Sequence, residues 1–350
     1  MAVSEVSDVE VADESPEALY ELLTSHGWGD GLPIVAPTTE RVDAMLAAHG
    51  GDPDAPLGIV PPRDGEATLR AAAVNAVMAG CPVDALPVVA AAVHAVTRPE
   101  VNLRGVQATT HPVAPLVIVH GDAVERAGFN PGVGAFGPGN RANATVGRAL
   151  RFVLMHVGGA RPGAGDASTQ AQPSKYTYCI GEHTAASPWP AYHRSRGVDA
   201  QSAVTVACGE NPHNFHDMES DEPVRLLTKA ASVMATLGSN NACIGQGEFF
   251  VVLCPEHAAT IAAHGWDRAD VASFLYETAR LPRGVLRGAF DGLAWRPWQL
   301  AIEDDHAMLP MTDHPDNVRV LVAGGPGKHS CVIPSWGMTR SVTVPVEGAS

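Results

Sequence analysis

Apolar residues along the chain fall into short unbroken runs and longer periodic stretches. The runs Leu116-Val-Ile-Val119, Ser202-Ala-Val-Thr-Val-Ala-Cys208, Phe249-Phe-Val-Val-Leu-Cys254 and Val318-Arg-Val-Leu-Val322 predict buried strands. Tyr176 to Ile180 predicts a short strand, and Val342 to Val346, which contains a proline, an edge strand. Helices are predicted from Ser15-Pro16-Glu17 to Gly27, over 39–49, 66–79 and 84–97, from Val146 to Val157, over 222–237, and from Asp267 to about 280. The two alanine-rich segments are apolar on most faces and so belong in an interior. Residues 52–63 read as a Pro/Gly linker, and 282–316 as irregular.

A strand followed by a helix that stops at glycine occurs twice, at 116–128 and 249–265, and half-occurs after Val322. The fold class expected is therefore α/β: mixed sheets with flanking helices, weakly repeated strand-helix halves and a helical N-terminal part. The divisions are a disordered acidic arm at 1–14, a mainly helical part at 15–100 and an α/β catalytic part at 101–350, with the last two as one compact unit being the alternative.

The 350 residues are 45% hydrophobic and 17% charged, a globular balance. A formal net charge of -15 speaks against nucleic acid as a partner. The apolar runs are too short for a bilayer, and the start lacks the features of a secretory signal. Six scattered cysteines without a C-x-x-C pair suit reduced thiols and a cytoplasmic setting. Fifteen histidines stand out, since imidazole is both a proton carrier near neutrality and a common metal ligand.

The stretch Gly128 to His183 draws the candidate chemistry together. Gly128 to Asn140 holds five glycines and two prolines, and a helix start follows. Such a loop presents backbone N–H groups to an anion. Gly137, Gly139, Asn140, Arg141, Asn143 and Thr145 are the expected substrate-binding residues, with Lys175 and Ser330 beside them. Glu182 and His183 follow a strand, with His193 nearby. Adjacent residues on a strand point opposite ways, so only one of Glu182 and His183 can face a pocket there. Glu182 is the candidate general base, with a salt bridge to Arg194 or Arg196 as the alternative. Glu210, His213 and His216 follow another strand and suit a divalent Zn or Fe ion. In Gly324-Gly-Pro-Gly-Lys-His-Ser-Cys331, Lys328 and His329 could activate Cys331 as a thiolate.

Several segments, Gly27-Trp-Gly-Asp-Gly-Leu-Pro33, Asn143-Ala-Thr-Val-Gly-Arg-Ala-Leu150, Lys175-Tyr176, Ser187-Pro-Trp189, Pro255-Glu-His-Ala258 and Gly327-Lys-His-Ser330, together resemble the UGSC-type (seleno)proteins and their relatives without selenocysteine. That resemblance implies a bacterial cytoplasmic enzyme. The family's selenocysteine-Gly-Ser-Cys motif is missing; His329-Ser330-Cys331 stands nearest to it.

The sequence thus predicts a homo-oligomeric enzyme of lyase or hydrolase type. It would act on a small anionic substrate by acid–base or metal-assisted chemistry through Glu182, His183, His213 and His216, with Lys328 and His329 closing the site. A thiol oxidoreductase using Cys331 and a non-catalytic small-molecule-binding subunit are the alternatives.

Overall fold

The computed structural model describes residues 11, 13, 15–290 and 295–348. The acidic arm, apart from Val11 and Asp13, lies outside these residues. Eight strands build two four-stranded sheets: β1 Ala114–Gly121, β2 Cys179–Gly181, β3 Ser202–Gly209, β4 His213–His216, β5 Phe249–Leu253, β6 Val318–Val322, β7 His329–Pro334 and β8 Val342–Pro345. Sheet one has the order β8-β3-β1-β2 and sheet two the order β6-β5-β7-β4. In each sheet one strand runs parallel to its central neighbour, β2 to β1 and β6 to β5. The other two follow antiparallel, β3 and β8 in one sheet and β7 and β4 in the other.

The repeat sensed in the sequence is therefore a repeat of topology. Each half contributes a central strand, a parallel strand and an antiparallel strand in chain order. The fourth strands are exchanged: β4 follows β3 but joins sheet two, and β8 follows β7 but joins sheet one. The halves meet where Gly209 bridges Ser335, at the ends of β3 and β7.

Period-two alternation then sorts the strand residues between two sides. Leu116, Ile118, Ile180 and Ala207 of sheet one meet Phe250, Val252, Leu321 and Ile333 of sheet two in a core between the sheets. After helix α1 Pro16–Ser25, the helices α2 Thr39–His49, α3 Leu69–Ala79, α4 Leu86–Val96 and α5 Arg141–His156 pack over the opposite face of sheet one, with Val117, Val119, Val204 and Val206. The opposite face of sheet two, with Val251, Leu253, Val320 and Val332, packs under α6 Pro223–Met234, α7 Pro255–Ala263 and α8 Arg268–Thr278. The result is a four-layer helix, sheet, sheet, helix sandwich, and the early helices share their core with sheet one.

Local differences from the sequence expectation have simple causes. Helix α5 starts at Arg141 rather than Val146, because Asn140 caps it by accepting from Asn143 N. The expected linker at 52–63 carries part of a hairpin, Pro56–Val60 paired with Gly65–Thr68. The segment read as irregular holds a helix, Arg283–Phe290, and a strand, Met308–Pro310, paired with Arg280–Pro282. Among the described residues no helix is long and apolar enough to cross a membrane.

Candidate metal centre

Position 120 has the same parity as Leu116 and Ile118, so His120 points between the sheets from the C-terminal end of β1. Glu182 follows β2 directly; its N–H donates to Val119 O at 2.8 Å and continues the parallel pairing of β2 with β1. Both side chains are buried, and His120 Nδ1 lies 2.7 Å from Glu182 Oε2. The short helix Tyr192–Ser195 brings its first turn over the carboxylate, and Tyr192 N donates to both oxygens at 2.9 and 3.0 Å. Arg268, the first residue of α8, crosses from the sheet-two layer to donate to Glu182 Oε1 at 3.1 Å. His193 completes the group. The ligand atoms of His120, Glu182 and His193 lie within 4.8 Å of one another and could hold a metal ion; it is the one such group among the described residues.

Hydrogen bonds assign the ring protons. A carboxylate only accepts, so His120 Nδ1 carries a proton, and Nε2 accepts from Thr205 Oγ1 at 2.8 Å. His193 Nε2 donates to Ala200 O at 3.0 Å, which leaves Nδ1 with a buried lone pair and no partner. A backbone carbonyl holding one ring nitrogen is how a protein orients an imidazole for a metal on the other. Burial, the largest influence, holds the His193 pKa down and keeps the ring neutral. Burial, the largest influence, pushes Glu182 upward, but the hydrogen bond from His120, the Arg268 charge and the Tyr192 N–H together leave it below its ordinary value. A neutral imidazole and an anionic carboxylate are the forms a metal requires. Ligation through His120 Nδ1 would move the ring proton to Nε2, where Thr205 Oγ1 can accept it and turn its own proton toward Thr343 Oγ1, 2.8 Å away.

A further buried polar atom beside this carboxylate has no partner, Arg268 Nε. With His193 Nδ1 it makes two unsatisfied positions beside Glu182.

The other expected residues go elsewhere. His183 sits on the far side of the Glu182 turn; its N–H donates to Val322 O, and the alternative Glu182 partners, Arg194 and Arg196, give way to Arg268. Glu210 pairs with His111 at 3.0 Å. His213 and His216 lie three apart on β4, hence on opposite faces, so the expected trio does not converge. Lys328 Nζ donates to Met218 O, and His329 Nδ1 faces Asn214 Oδ1. Burial pushes the Cys331 thiol up to about 12. Ser330 serves His257 and Cys254.

In the glycine loop, Asn143 accepts from Asn130 N and donates to Asn130 O and Ala135 O. Gly139 takes φ +107, and Gly137 N–H closes a turn onto Gly134 O. Arg141 donates to Gly80 O and Cys81 O, and Thr145 Oγ1 to Arg141 O. Lys175 is buried with Asp166, Ser168 and Arg151 beside Ala114, at the opposite end of β1 from His120. Six residues of strand put roughly 20 Å between those ends.

Sequence reasoning singled out Glu182 and His193 and missed His120 and Thr205. Both missed residues interrupt apolar strands at positions of inward parity, which is the signal that was there to use. No protein-family model matches the chain, and neither the curated proteins nor the solved structures contain a significant match.

Proposed function

We propose that the chain is an enzyme acting on a small anionic substrate by metal-assisted or acid–base chemistry, of lyase or hydrolase type, centred on His120, Glu182 and His193. The observation that carries this is the free, buried lone pair of His193 Nδ1 in a two-histidine, one-carboxylate group. That donor set suits Zn²⁺ or Fe²⁺. A bound ion would supply Lewis acidity and a more acidic bound water.

Charge supports an anionic substrate. Glu182 is already neutralised by Arg268, so a divalent ion adds uncompensated positive charge to a buried place. An anion arriving with the substrate offsets it. Arg268 Nε is a donor left to orient that anion. Without a metal the same residues form a relay, Thr205 Oγ1 to His120 to Glu182, in which His120 moves a proton and Glu182 fixes its tautomer.

Elemental analysis of the untagged protein, as purified and after addition of Zn²⁺ or Fe²⁺, separates the two. The metal-assisted form requires close to one ion per chain, lost in His193→Ala. Less than about a tenth of an ion, unchanged by added metal, leaves only the relay.

A further inference from the structure

A buried group of charges lies at the start of β1, at the other end of that strand from His120. Arg151 comes from α5, where it interrupts the buried run from Ala149 to Met155. Lys175 ends the short helical turn Pro173–Lys175, and Asp166 pairs with both cations. The side chains of Arg151, Lys175 and Asp166 are only 9%, 8% and 4% exposed, so water screens them little. Arg151 Nη2 donates to Asp166 Oδ2 at 2.5 Å, and Lys175 Nζ reaches both Asp166 oxygens at 2.8 Å. Lys175 also donates to Ser168 Oγ, and that hydroxyl donates to His111 O, so it brings no charge. Two cations therefore share one carboxylate, and one positive charge is left over. Burial, the largest influence, holds the Lys175 pKa below its ordinary value; Asp166 works against this and Arg151 adds to it.

Arg151 and Lys175 both line a cavity of about 10 Å³, whose other walls include Ala114, Pro115, Leu150 and Leu154. That volume admits one water-sized sphere. Among the described residues Arg151 makes hydrogen bonds only through Nη2, to Asp166 and to Ala160 O. Its Nε–H and both Nη1 protons are left for a further acceptor. Ser174, also on the wall, spends its hydroxyl proton on Asn211 Oδ1.

We propose that this cavity binds one halide ion, chloride under ordinary conditions, held by Arg151 and the excess charge that Arg151 and Lys175 share. A buried charge without a counter-charge is far more costly than a paired one. A halide supplies the missing negative charge in a single atom, which suits a space too small for phosphate or a carboxylate. Water would fill the same space without supplying charge. The apolar walls strengthen the attraction, because they keep the local dielectric low. The ion ties α5 to the Asp166–Lys175 segment and to the start of β1. Roughly 20 Å of strand separates it from His120, so it belongs to the scaffold and takes no part in chemistry there.

Two measurements on the full chain test this. In the first, chloride replaces gluconate at constant ionic strength while the melting temperature is followed. A saturable rise of a few degrees is expected, since the ion binds the folded state only. In the second, crystals soaked in bromide are measured at the bromine edge. A peak is expected in the cavity between Arg151 and Lys175. Lys175→Met leaves Arg151 and Asp166 as a neutral pair and should abolish both the rise and the peak. Absence of a peak in the cavity overturns the proposal. So does a peak without the saturable rise, which is a halide held at crystal concentration only. A folded variant that keeps both would show that excess charge is not what binds, and overturns it too. If the variant does not fold, the chloride titration and bromide map of the parent decide. Neither readout involves the metal proposed for His120, Glu182 and His193, so the two ideas stand or fall separately.

Discussion

Asp166 accepts from two buried cations, Arg151 and Lys175, and from Ser168 N. Burial alone would raise its pKa, but the Lys175 hydrogen bond and the Arg151 charge bring it to about 2. The unfolded chain therefore binds a proton at a higher pH than the folded one. The stabilisation is fully present above about pH 4 and disappears as the pH falls toward 2, a loss of roughly 2 kcal/mol. Asp166→Asn should cost more at neutral pH, about 3–5 kcal/mol, because two buried cations lose their counter-charge. Urea unfolding at pH 7 and pH 3 checks both: the parent should lose stability on acidification, and the variant should lose less. Glu182 and His193 have lowered values too and add to acid sensitivity in the same direction. None of this network could be read from sequence. Lys175 was visible as a cation in a polar loop, but only the fold shows its donors spent on Asp166 and Ser168, at the wrong end of the sheet for Glu182.

The glycine loop at 128–140 owes its shape to Asn143, one turn into α5. Asn143→Ala would leave Asn130 N, Asn130 O and Ala135 O without their partner. A loss of about 1–3 kcal/mol is expected, with the loop around Ala135 becoming protease-sensitive. Limited proteolysis against a denaturation curve tests this; an unchanged curve would show the loop held by other means. Strand and helix positions were largely legible, because their apolar periods and glycine stops are local. The caps at Ser15 and Asp267 were legible for the same reason. Pairing was not. The sequence reads His213 and His216 as one ligand set with Glu210, and the strand that separates their faces exists only because β7 lies beside it. Likewise, Lys328 and His329 lie close to Cys331 in sequence, but sheet one covers its side chain in the core between the sheets.

The exchange of fourth strands ties the two halves of the molecule into one cooperative unit. A chain ending at Ser341 loses β8, which pairs with β3 from Val206 to Ala203 and supplies Thr343 to Thr205. Hydrogen exchange should then show lost protection in β3 of sheet one, far from the deletion in sequence, while β5 and β6 of sheet two keep theirs. Loss confined to sheet two would contradict the exchange. Thr205 also links this strand to His120, so the same deletion should weaken the centre. The most direct measurement of that centre is anomalous diffraction at the zinc edge from crystals of the zinc-loaded protein. The account predicts one peak per chain, bounded by His120, Glu182 and His193 with His193 Nδ1 as a ligand. A peak only at the surface histidines His216 and His329, or no peak at all, would contradict it.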